Sequence, residues 1–139
     1  MRRIKNGQLP GNEAIAEPHV IAKLAGRNRI ITDDPMTGEV TVTVHRERAS
    51  YHLPAIDLAF EADAEEHYCI REAEPSATSA DTRATWRLSR GDWRIRTETH
   101  THVACTATSF EITASLEAFE GEARVASRNW KQSIRRQHV

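Results

Sequence analysis

Two glycine-led turns, Arg90-Gly91-Asp92 and Glu120-Gly121-Glu122, punctuate long alternating runs that together occupy positions 82 to 134. An alternation of period two suits a strand and not a helix, so this stretch reads as antiparallel ribbon. Glycine takes the first loop position in each hairpin, where a type II′ turn requires positive φ. Counting around the first turn places Trp86, Leu88, Trp93, Ile95 and Thr97 on one face, with Thr85, Arg87, Arg94, Arg96 and Glu98 on the other. The second turn gathers Phe110, Ile112, Ala114, Leu116, Ala118, Ala123 and Val125, and leaves Glu111, Glu117, Arg124 and Arg128 opposite. On that count Phe119, Ala126 and Trp130 form an apolar strip among the charges.

Upstream, Val40, Val42 and Val44 alternate with Thr41, Thr43 and His45, a strand pattern, and His67 to Arg71 reads as another strand. The segment Tyr51 to Phe60, broken by Pro54, is expected to be an edge strand followed by a loop. Residues 72 to 81 read as a connection. A short helix is predicted to begin near Glu17-Pro18 and to turn Val20, Ile21 and Leu24 toward a sheet. Residues 1–13 combine Gly7, Pro10 and Gly11 with charges, and read as an arm with little structure of its own. Strands of ten or more residues must twist and usually bend. The expected fold is therefore mainly β: a curved antiparallel meander in a β-sandwich or jelly-roll-like domain spanning 1–139, with a short N-terminal helix.

Composition narrows the function classes. The 139 residues include 39% hydrophobic and 28% charged side chains, which suits a single soluble domain, and no apolar run is long enough to cross a bilayer. With no apolar stretch behind the basic start to serve as a signal peptide, a cytoplasmic location is the expectation. Nineteen basic against twenty acidic residues give a net charge of -1, so no long-range attraction to nucleic acid is expected. Cys69 and Cys105 read as free thiols.

His100 and His102 are two apart in a strand and so share a face with Glu98 and Arg96. Imidazole beside carboxylate can move protons near neutral pH, which makes His100, His102 and Glu98 the candidate acid–base set. The same two histidines could seat zinc only with a further donor from another strand, and no metal is expected. Neither cysteine adjoins a glycine-rich turn, no Gly-x-Ser-x-Gly elbow occurs, and the scattered glycines form no phosphate loop. No cofactor is expected.

The stretch Arg90-Gly91-Asp92-Trp93, the run Leu116 to Val125, then Arg128-Asn129-Trp130 and Ser133 to Val139 resemble the C-terminal end of CocE/NonD-type hydrolases of the X-Pro dipeptidyl-peptidase (S15) class. The resemblance covers roughly residues 68 to 139. It implies a jelly-roll domain that packs on an α/β-hydrolase domain and helps to shape its pocket. The catalytic serine, aspartate and histidine of those proteins have no counterpart here, and Arg135 and Gln137 stand where a proline and an aspartate are usual.

Two functions are expected from these readings. The first is a noncatalytic binding or assembly domain, a homodimer or the partner of a hydrolase-like protein, that uses Phe119, Trp130, Arg124 and Arg128. The second is a small enzyme whose sheet encloses an apolar metabolite and whose His100, His102 and Glu98 transfer protons.

Overall fold

The computed structural model describes residues 19–20, 27–35 and 37–137. Eight strands appear in it: β1 (His19–Val20), β2 (Arg27–Asp34), β3 (Glu39–Leu53), β4 (Leu58–Arg71), β5 (Ser79–Arg90), β6 (Trp93–Cys105), β7 (Ser109–Glu120) and β8 (Ala123–Arg135). From β3 to β8 each strand pairs antiparallel with the next, while β1 and β2 both pair with the outer side of β3.

Both glycine turns take the expected form. Gly91 and Gly121 each have φ of 56°, whereas Asp92 and Glu122 are not among the positive-φ residues, the signature of type II′. Arg90 then faces Trp93, and Glu120 faces Ala123. The β6–β7 connection is built differently: Thr106 Oγ1 accepts from the backbone N–H of Thr108 at 3.2 Å and of Ser109 at 2.9 Å. Here a hydroxyl stands in for a backbone acceptor.

The sheet does not close. Only strands adjacent in the sheet contact one another substantially, and β8 does not pair with β1 or β2. The expected curved β-sandwich or jelly-roll is thus replaced by one open, uncurled meander. Its cause lies in the connections, since consecutive strands joined by short links become neighbours in one layer, and among the described residues no long crossover carries a strand into a second. The predicted helix is also replaced where it can be followed, because His19–Val20 is a strand paired with His52 and Tyr51. Glu17, Pro18, Ile21 and Leu24, like the proposed arm at 1–13, lie outside the described residues.

The segment read as an edge strand and loop is longer and more central than expected. Strand β3 continues to Leu53, a single 3-10 turn spans Pro54–Ile56 with Asp57 left-handed at φ 49°, and β4 runs unbroken from Leu58 to Arg71 between β3 and β5. In β4, alanines at 62 and 64 alternate with acidic residues at 61, 63 and 65. That is a strand pattern with small residues on the apolar side.

Following the register across all seams separates two faces. One carries Val42, Tyr68, Phe60, Trp86, Leu88, Ile95, Val103, Ile112 and Leu116. The other carries His45, Glu65, His67, Asp81, Arg83, Glu98, His100, His102 and Glu117. On the apolar face Tyr51, Phe60 and Trp86 form an aromatic cluster, with ring centroids 6.0 and 5.4 Å apart in succession. Yet no described residue is buried, and Trp86 is 52% exposed.

Candidate functional site

Two adjacent rows cross the polar face at the middle of the sheet. In one, His45, Glu65, Arg83, His100 and Ser115 lie opposite one another on β3 to β7, and in the next Thr43, His67, Asp81, His102 and Thr113 do the same. Strand alternation sends all of these to one side, and antiparallel pairing brings carboxylates on β4 and β5 between histidines on β3, β4 and β6.

Asp81 is the centre of one half. Its Oδ2 lies 2.6 Å from His100 Nε2 and 3.4 Å from His102 Nδ1, and Arg83 Nε approaches the other oxygen at 3.5 Å. Partial burial pushes this carboxyl up, but the hydrogen bond and charge of His100, with those of Arg83, outweigh it and hold the group below its ordinary value. An ionised carboxylate only accepts, so Nε2 of His100 is the donor in this hydrogen bond. Glu65 centres the other half: it holds His67 Nε2, while His45 Nδ1 stands 3.4 Å away. Thr43 Oγ1 contacts the remaining ring nitrogen of His67 at 3.0 Å.

The predicted acid–base set is thus only partly assembled. His100 and His102 do share a face and a carboxylate, but that carboxylate is Asp81, not Glu98. Glu98 instead lies 2.8 Å from Arg96 Nε, close enough to pair in charge but without hydrogen-bond alignment. Asp81 fell in a stretch read as connection, although the Gly91 register, carried a few residues further, places it opposite His102. That continued count was the signal available.

Of the predicted contact residues, Phe119 and Arg124 lie on the polar face and Trp130 and Arg128 on the apolar one. A register shift between Ala118 and Phe119 separates them: Phe119 faces Arg124, but Ala118 faces Ala126, leaving Val125 as an extra residue. Trp130 consequently sits opposite Ala114 and Arg128 opposite Leu116. The strip of Phe119, Ala126 and Trp130 does not exist. Phe119 is instead covered by the Arg96 guanidinium, 4.2 Å from its ring centroid, and Arg124 pairs with Glu117 at 2.7 Å.

Between these groups is an open depression of about 560 Å³, lined by Arg83, Glu98, His100, Ser115, Glu117 and Arg124 among others. It presents both charge signs and an imidazole to solvent. Among the described residues no three histidine, cysteine or acidic side chains converge as a metal-holding group, and no helix is long and apolar enough to cross a membrane. Cys69 and Cys105 are free, and alternation puts them on opposite faces of the sheet. Burial, then the nearby Glu39, raises the Cys69 thiol pKa above its ordinary value.

No protein-family model, no curated protein and no solved structure matches the chain, so nothing in these comparisons ties it to the CocE/NonD-type or S15 hydrolases.

Proposed function

We propose that this chain is one layer of a larger β assembly and works by binding rather than alone. The observation that supports the reading is the absence of any buried residue among those described, on a sheet with one strongly apolar face. A single layer cannot bury enough apolar surface to offset the cost of ordering its backbone, so a second layer is needed for stability. Thermal unfolding across a hundredfold range of protein concentration tests this. The midpoint should rise with concentration, as mass action requires of a folded state that exists only in a complex. A cooperative transition whose midpoint does not move would end the proposal.

The side-chain geometry favours a second reading over an inert surface. Asp81 orients His100 through its Nε2, leaving Nδ1 as the ring nitrogen not engaged by Asp81 beside the depression, which is an arrangement suited to proton transfer on a small polar metabolite. The test uses p-nitrophenyl acetate as an activated probe. Turnover per histidine should exceed that of free imidazole and fall in Asp81→Asn. A rate no greater than imidazole's, or one indifferent to Asp81→Asn, would remove this reading.

A further inference from the structure

Resting on the layer reading, we propose that the apolar face is covered by a second copy of this chain, face to face. Its size is appropriate. Seven strands at about 4.8 Å, each roughly 40 Å long, offer on the order of 1000 Å² on one side, and a stable interface needs about 800 Å² from each partner.

Charge argues for a copy over a partner of another kind. The central ion pair on this face, Arg46 with Glu66 at 2.7 Å, neutralises itself. Arg27, Arg29 and Asp33 lie at the β2 edge, Arg90 and Glu120 at one end of the face, and Arg128 at the β8 edge. A face so nearly balanced offers little for a strongly acidic or basic partner to read, and it does not repel itself. Relief is also suited to self-packing, since Trp86 stands beside Ala62 and Thr97, and Trp130 beside Ala114. Large side chains next to small ones let two sheets interdigitate at the usual separation of about 10 Å.

Edge-to-edge growth is the competing mode, and β8 is built against it. Arg124, Arg128, Lys131 and Arg135 line that strand, and its Val125 bulge interrupts the ladder that an added strand would follow. The apolar face has no such protection.

All three tryptophans, Trp86, Trp93 and Trp130, share this face by register, so their fluorescence reports its covering directly. Sedimentation of the full chain gives the mass, and acrylamide quenching gives the exposure. The wild type should sediment as a dimer with quenching several-fold weaker than in Trp86→Lys, which should be monomeric. Thr85→Lys, on the opposite face, should match the wild type. Should Trp86→Lys fail to fold, dilution of the wild type decides, since dissociation must red-shift the emission as the mass halves. A mass that halves without a shift would overturn the proposal, as would a dimer broken by Thr85→Lys and not by Trp86→Lys. Either result leaves the layer reading standing, whereas a folded monomer at all concentrations overturns both.

Discussion

Ala118 faces Ala126 across the last seam of the sheet, one residue beyond the partner that counting around Gly121 assigns. Side chains alternate, so the single extra residue at Val125 moves Arg128 and Trp130 from the polar to the apolar side. Val125 itself is 60% exposed. Val125→Asp should therefore change stability by no more than about 0.5 kcal/mol, and deleting the residue, which leaves Trp130 opposite Ala114 in a straight ladder, should cost no more than about 1 kcal/mol. Urea midpoints compare the two. A deletion that costs several kcal/mol would show that the seam runs in straight register, since it would then turn residues 126–135 over.

The turn glycines carry a conformational requirement and no packing one. A methyl group added at Gly91 or Gly121 meets no heavy atom within 4 Å, but both residues have φ of +56°. Gly91→Ala and Gly121→Ala should each lose about 1–2 kcal/mol, and asparagine at either place should recover part of it. Denaturant unfolding measures both, and alanine variants as stable as the parent would contradict the turn type.

Asp81 gives acid stability a definite sign. Its pKa is lowered in the fold from 3.8, so its contribution is fully present above that value and is lost as pH falls through the folded one. Asp81→Asn should be less stable than the parent at neutral pH, and the gap should close once the pH has fallen through the lowered folded pKa. A gap that persists in strong acid would mean that packing, not charge, holds the site.

The Arg96 guanidinium over Phe119 predicts a measurable coupling on an exposed face. A double-mutant cycle of Arg96→Ala and Phe119→Leu should return about 0.5–1 kcal/mol. A coupling indistinguishable from zero would mean that the two side chains merely share space.

Much of this sheet was legible in the sequence, because strand alternation and positive-φ turns are local rules. Trp86, Trp93 and Ile95 fall on one face as counting around Gly91 required. What escaped was set by more distant pairing. The Val125 bulge has no residue signature, since valine suits an ordinary strand. The stretch of β4 before His67 was hidden because alanine and glutamate are weak strand formers in isolation, and only its place between β3 and β5 makes it central. Closure was mistaken for a different reason: long strands promise curvature, but nothing in a two-residue turn sends the chain into another layer. At the candidate site, two histidines could be found by spacing, while the aspartate between them needed a strand boundary that composition blurred.

From β3 to β8, every seam joins segments adjacent in the chain, so the architecture resembles a folded ruler more than a vault. No strand serves as a keystone. Removing β8 would strip one seam and leave the acid–histidine rows on β3 to β6 with their neighbours. Lengthening the chain by further hairpins would extend the same surface without disturbing what is already laid down.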